Sequence, residues 1–155
     1  MNHKETVLLT TCCLLLAFGS AAAEETKTLW QIGKADNSTA DLALGPKGYA
    51  AYDRDPMFVV GHSDPRRNWP YCHPGPDDAW AGGGAHTFTI LFGLAEKIDA
   101  ECRLTVDLVD THGIDPPPLR INVNGRSSVH ETPKGAGDAS ILGNQRGQPD
   151  AICTQ

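Results

Sequence analysis

One stretch of this chain, residues 62–82, concentrates the side chains that could recognise a ligand. It contains two of the three tryptophans, and its prolines limit the conformational freedom of the backbone. Sugar recognition needs a flat aromatic ring against the C–H face of a pyranose, and carboxylate or guanidinium groups for the hydroxyls and any acidic group. We therefore predict a carbohydrate-binding site composed of Trp69, Tyr71, Trp80, Arg66 and Asp64.

The same tryptophans have an alternative structural role. A tryptophan in a proline-rich loop often folds back over the end of the hydrophobic core, where its large ring excludes water. For Trp69 and Trp80 this alternative stays open beside ligand binding. Trp30 lies in an apolar run of strand length, so its position favours the core.

Metal and cofactor sites have no recognisable motif in this sequence. The histidines occur at neither H-x-H nor H-E-x-x-H spacing, and there is no C-x-x-C. Asp107, Asp110 and Asp115 could join backbone oxygens around a structural Ca²⁺, but no loop follows the EF-hand pattern. We predict solvated carboxylates and no cofactor. Cys72, Cys102 and Cys153 allow one optional disulfide, which the spacing does not assign.

No catalytic residue is predicted for this chain. Neither G-x-S-x-G nor a phosphate-binding loop is present. A β-eliminating lyase would need a base and a group that neutralises the uronate carboxylate. His73 with Arg66 or Arg67 could be assigned those roles, but only by choice among many residues.

The N-terminus is typical of an export signal. Lys4 precedes an apolar run over residues 6–19, and Ala21-Ala22-Ala23 supplies small residues before the polar Glu24. The run is about 14 residues, too short for a bilayer that needs roughly 20. We predict a signal peptide at 1–23, one domain at 24–155, a secreted or periplasmic location and no membrane partner. The net charge of −6 argues against nucleic acid as a partner.

Alternating apolar and polar residues predict antiparallel strands in the second half of the chain. This period-two pattern runs through the segments His86–Phe92, Arg103–Asp110 and Leu119–Asn124. The dipeptide Asn124-Gly125 favours a two-residue hairpin turn into a return strand at Arg126–Glu131. Shorter apolar runs at Leu29–Gly33, Leu42–Leu44 and Met57–Gly61 extend the series. We predict an all-β fold, a sandwich or jelly roll.

The C-terminal segment from Pro133 does not continue this pattern. It is rich in Gly, Asp and Pro, and its apolar residues are confined to the dipeptides Ile141-Leu142 and Ala151-Ile152. We predict no closing strand there. A sandwich without that strand leaves an open edge, so we expect a domain truncated at its C-terminus.

The order of several motifs resembles one known family, the carbohydrate-binding-like third domain of rhamnogalacturonan lyases of polysaccharide lyase family 4. The matching blocks span residues 28–144 and are Leu29–Thr39, Phe58–Gly61, Asp64–Pro65, Trp69–Tyr71, Pro74–Pro76, Asp78–Gly82, His86–Ile90 and Leu108–Thr111. This resemblance implies a jelly-roll β-sandwich of the galactose-binding-like kind and a pectic polysaccharide as partner. It also implies a catalytic domain elsewhere in a longer parent protein, so no cleavage residue transfers here.

Three functions remain to be distinguished. The first is a non-catalytic module that binds pectic, rhamnogalacturonan-type polysaccharide through the residues named above. The second is a fragment of a polysaccharide lyase that itself has lyase activity. The third is a structural spacer that packs on a catalytic neighbour, and burial of Trp69 and Tyr71 would favour it.

Overall fold

The computed structural model describes residues 27–137 and 150–154. Its strands form three two-stranded sheets: β1 (Met57–Val59) with β2 (Thr89–Leu91), β3 (Leu104–Leu108) with β6 (Asp150–Thr154), and β4 (Leu119–Val123) with β5 (Arg126–His130). Helical structure in these residues is limited to α1 (Pro65–Asn68) and the 3₁₀ turns Tyr49–Ala51 and Ala79–Ala81. Strand predominates over helix, which confirms the predicted all-β class. The predicted signal peptide lies outside the described residues.

The β4–β5 hairpin forms where the sequence predicts it. Leu119 pairs with His130 and Val123 with Arg126. At the turn, Asn124 and Gly125 have φ values of 50° and 85°, the left-handed conformation that a two-residue hairpin requires. The backbone N–H of Gly125 donates to the Asn122 side-chain oxygen at 3.0 Å and closes the turn.

Strand β3 shows the predicted alternation, with Leu104, Val106 and Leu108 half-buried and the intervening Thr105 and Asp107 exposed. Its partner was not predicted. The structure pairs β3 antiparallel with β6, so the prediction of no closing strand is wrong for residues 150–154. The apolar pattern there is only two residues long, and the hydrogen bonds to β3 make this segment a strand.

The prediction of a strand at Leu29–Gly33 is also wrong, because this segment has no strand partner. The side-chain amide of Gln31 donates to the carbonyl of Gly33 at 2.7 Å, and Gly33 has φ of +72°, a conformation outside the strand region. Trp30 instead packs on Phe92, with ring centroids 5.4 Å apart. The run at Leu42–Leu44 makes a single bridge, between Ala43 and Pro70.

The small core lies where the proline-rich loop meets β1. Its buried apolar residues are Ala43, Tyr52, Phe58 and Cys72, and Pro56, Pro70 and Pro74 are buried with them. Several of these residues belong to the long loop, which is therefore a packed part of the domain. In the described ranges, no helix is long and apolar enough to span a bilayer.

Candidate functional site

Helix α1 is a single turn whose start is determined by Asp64. The Asp64 carboxylate accepts the backbone N–H of Arg66 at 3.0 Å, and its own N–H donates to the Asn68 side chain at 2.9 Å. Pro65 occupies the first helical position, where its missing N–H costs nothing. This reciprocal cap holds Asp64 in place and directs the side chains of α1 outward, since both Arg66 and Arg67 are exposed.

Asp64 and Arg66 lie on one wall of an open cleft of about 310 Å³. The opposite wall comes from the segment before Ala43, and the lining residues are Gln31, Gly33, Lys34, Asp41, Asp64, Pro65 and Arg66. Backbone hydrogen bonds hold the two walls together: Ala43 N–H donates to the carbonyls of Pro65 and Trp69 at 3.0 and 2.9 Å. This cleft is the candidate functional site.

The cleft carries charges of both signs. In the parts of the chain that the structure describes, neither Lys34 nor Arg66 lies within ion-pair distance of a carboxylate. Asp41 contributes a carboxylate to the lining, although one of its two oxygens is buried and has no hydrogen-bond partner among those residues. The second carboxylate, that of Asp64, is already engaged in the helix cap. The cleft can therefore pair with an anion and with a hydroxyl donor.

The sequence analysis singled out two of the seven residues that line this cleft. Asp64 and Arg66 were predicted and lie together in the cleft, whereas Lys34, Asp41 and Gln31 were missed. Gln31 and Gly33 were assigned to a strand that ended before Lys34, and nothing in the local pattern of residues 31–34 shows that they face α1. The only sequence signal was the concentration of polar residues that follows Ile32.

Trp69 belongs to an aromatic cluster in the interior of the loop. Its half-buried ring lies edge-on to Phe58 and Phe88, with centroids 6.0 and 5.4 Å away, and 5.6 Å from the ring of His73. His73 in turn lies 3.9 Å from Phe88, ring centroid to ring centroid. These contacts give Trp69 a packing role, which is the structural alternative considered from the sequence.

Trp80 and Tyr71 also make packing contacts. The indole N–H of Trp80 donates to Asp78 at 3.0 Å, and its ring lies edge-on to Tyr49 and Tyr52, at 5.3 and 6.1 Å. Tyr71 is half-buried, and burial together with the neighbouring Cys72 thiol raises the pKa of its phenol to about 12. The structure thus brings Asp64 and Arg66 to the cleft and places the rings of Trp69 and Trp80 in contact with other aromatic side chains.

A hydrogen-bonded network of titratable groups joins three elements next to this cluster. One Asp55 oxygen accepts from the Tyr52 hydroxyl at 2.9 Å and contacts His86 Nδ1 at 2.8 Å, while the other accepts the Thr87 N–H at 2.7 Å. Burial acts to raise the pKa of Asp55, but the Thr87, His86 and Tyr52 donors outweigh it and hold the pKa below its ordinary value. Burial and Asp55 raise the pKa of Tyr52.

Metal-binding residues do not converge anywhere in residues 27–137: no group of three or more His, Cys, Asp or Glu side chains has a suitable arrangement. His112 Nδ1 accepts the backbone N–H of Asp115 at 3.0 Å and shapes a turn. Cys72 and Cys102 are free thiols, and burial raises the pKa of Cys72 to about 11, which keeps it protonated and unreactive.

Comparison with known protein families gives one match. The family described as CBM-like, polysaccharide lyase family 4, domain III, matches residues 28–150, which include the cleft, the aromatic cluster and all strands as far as the start of β6. No curated protein and no solved structure matches the chain. Because the match covers most of the sequence, the chain belongs to the carbohydrate-binding-like domain III family of polysaccharide lyase family 4.

Proposed function

We propose that this protein is a non-catalytic module that binds a pectic polysaccharide of the rhamnogalacturonan type. The family match over residues 28–150 carries this proposal, because a carbohydrate-binding-like domain suggests a carbohydrate ligand. The cleft beside α1 supplies a place for one: it is open, it is lined by several charged side chains, and backbone hydrogen bonds join its two walls.

Arg66 and Asp64 are the two predicted residues that the cleft supports directly. Arg66 can pair with an acidic sugar through its planar guanidinium, and Asp64 lines the wall beside it. Trp69, Tyr71 and Trp80 contribute mainly by packing in the loop that carries α1, and their half-exposed rings leave part of each surface open to a sugar face.

The direct test is isothermal titration of the folded protein against rhamnogalacturonan, with cellulose oligomers as an unrelated glycan. We expect heat only with the pectic polymer. Arg66→Gln should weaken binding about three- to tenfold because it removes a charge from the cleft. Arg54→Gln is the matched control, since Arg54 is also an exposed arginine and does not line the cleft. Absence of heat with every pectic polymer would reject the function.

The finer architecture and the cellular route are part of the same proposal. We infer a jelly-roll sandwich of the galactose-binding-like kind that accompanies a catalytic domain in a longer parent protein. The chain as a whole requires no cofactor.

Residues 1–23 serve as a cleaved signal peptide that directs the domain to the periplasm or the medium. Mass spectrometry of the exported protein tests this route, with Glu24 expected as the first residue.

A spacer role is the second candidate, and one observation favours it. Met57 and Leu91 lie on the same face of the β1–β2 sheet and are 60% and 48% exposed, and Leu94 beyond β2 is 48% exposed. β1 and β2 run parallel, whereas the sequence predicted an antiparallel strand at His86–Phe92, and parallel strands are usually covered on both faces. If the domain packs on a catalytic neighbour through this face, a Met57→Ser, Leu91→Ser double variant will lose the contact and retain polysaccharide binding.

A further inference from the structure

Two cations in the cleft are available to a ligand. Lys34 and Arg66 come from opposite walls, one from the segment before Ala43 and one from α1. Of the other cations in the described residues, Arg54 and Arg67 approach a neighbouring carboxylate, at 3.4 and 3.9 Å, whereas Lys34 and Arg66 share the lining of one concave site. Two unpaired cations that face one concave site favour an anionic group, because each gains a partner without losing an existing one.

The carboxylates of the cleft restrict what kind of anion can bind. Asp64 already accepts the Arg66 N–H, and Asp41 adds a second carboxylate to the lining. A carboxylate can only accept, so the ligand must present hydroxyl or amide donors close to its negative group. Two carboxylates near two cations also disfavour a doubly charged phosphate. A group with a single negative charge among hydroxyls satisfies both conditions.

We propose that this cleft recognises the carboxylate of a uronosyl residue, with Lys34 and Arg66 as the residues that distinguish an acidic from a neutral sugar. The inference rests on the proposed function and goes further, because it names the chemical group that the cleft recognises. It also makes Lys34 one of the residues that bind this group. The uronate carboxylate lies between the two cations, and a ring hydroxyl donates to the Asp41 carboxylate. Gln31 contributes an additional amide on the same wall.

The test compares one polymer in two chemical forms: rhamnogalacturonan, and the same preparation after reduction of its carboxyl groups to primary alcohols. The reduced polymer keeps its length, linkages and hydroxyls and loses only its charge. At constant ionic strength we expect the full-length exported protein to bind the native polymer at least tenfold more tightly than the reduced one.

Charge-removing variants assign the effect to the cleft. Lys34→Gln and Arg66→Gln should each reduce affinity for the native polymer about three- to tenfold and leave affinity for the reduced polymer unchanged. Lys47→Gln is the control, since Lys47 is exposed and does not line the cleft. Thermal unfolding of each variant checks that the fold is retained.

The outcomes separate the two proposals. Equal binding of both polymers, or a native-polymer affinity that Lys34→Gln leaves unchanged, would overturn carboxylate recognition while the polysaccharide-binding function stands. Binding of neither polymer would reject the function itself. A preference for the native polymer that falls three- to tenfold in each cleft variant and stays unchanged in Lys47→Gln supports the assignment.

Discussion

At the residue scale, Asp55 is the side chain whose substitution should have the clearest pH signature. It accepts three donors, from Tyr52, His86 and Thr87, and it ties the 3₁₀ turn at residues 49–51 to the starts of β1 and β2. The carboxylate is 41% exposed, so solvent screens part of each interaction. We expect Asp55→Asn to lower the free energy of unfolding by about 1–2 kcal/mol at pH 7.

The pKa direction determines how this loss changes with pH. The pKa of Asp55 is lower in the folded protein than its ordinary value of 3.8, so its stabilisation is fully present above that value. It disappears as the pH falls through the folded pKa. Urea unfolding across pH 7 to 2 should therefore show the gap between wild type and Asp55→Asn closing in acid. Asp53→Asn, at a site 74% exposed, is the control; a gap independent of pH would contradict the mechanism.

Substitutions of Trp69 can show whether its ring packs in the core or binds the ligand. Its ring contacts Phe58, which is only 4% exposed, and Phe88. Trp69→Ala should destabilise the domain by about 2–4 kcal/mol because it leaves a cavity beside these rings. Trp69→Phe should recover a large part of that loss. The free energy of unfolding is measured by denaturant titration.

The same variants are then titrated with rhamnogalacturonan under conditions in which each is folded. If Trp69 acts by packing, Trp69→Phe will bind with wild-type affinity. A Trp69→Phe protein of nearly wild-type stability that binds at least tenfold more weakly would show instead that the indole contacts the sugar.

At the element scale, the β4–β5 hairpin offers a test of backbone conformation alone. A Cβ added at Gly125 would meet no atom within 4 Å, but the residue has φ of +85°. Gly125→Ala should therefore cost about 1 kcal/mol through conformational strain without any steric clash.

Gly93→Ala is the matched control for the hairpin. Its added Cβ also meets nothing within 4 Å, and its backbone is outside the left-handed region. We expect a change within about 0.5 kcal/mol in the same denaturant measurement. Equal effects of the two substitutions would show that the turn conformation does not limit stability.

Gly135 allows two segments that are far apart in the chain to pack closely together. The segment at Gly135 runs against Asp110 and Thr111, and a Cβ there would overlap the Asp110 carboxylate and lie 2.5 Å from the Thr111 carbonyl oxygen. The Ala136 N–H donates to the same Asp110 side chain at 2.8 Å. Asp110, considered from the sequence as an oxygen ligand for Ca²⁺, thus fastens the segment that follows β5.

At the scale of the whole molecule, net charge and local charge have opposite consequences. The chain carries a net charge of −6, so its overall field repels an acidic polymer at long range. Salt screens that repulsion over roughly 8–10 Å, whereas Lys34 and Arg66 act at contact distance inside the cleft. The proposed recognition of a uronate would therefore depend on local geometry and not on a general attraction for anions.

The sequence alone determined the features that depend on neighbouring residues. The alternation around Leu104–Leu108 and Leu119–Val123 predicted strands, and Asn124-Gly125 predicted the turn that the structure contains. It also identified Asp64 and Arg66, because residue type and a proline-rich context are visible without coordinates. A side-chain period of two and a two-residue turn are local properties, so tertiary contacts did not change these strands or this turn.

Only the tertiary structure decided which distant segments meet. The cleft exists because Ala43 bonds to Pro65 and Trp69, more than twenty residues further along the chain, and this brings Lys34 opposite Arg66. Strand β6 likewise forms because β3 offers it hydrogen bonds, although its own apolar pattern is too short to predict a strand. Such pairings depend on competition among all segments of the chain for the same hydrogen-bonding partners. No local sequence pattern shows which pairing is the most stable.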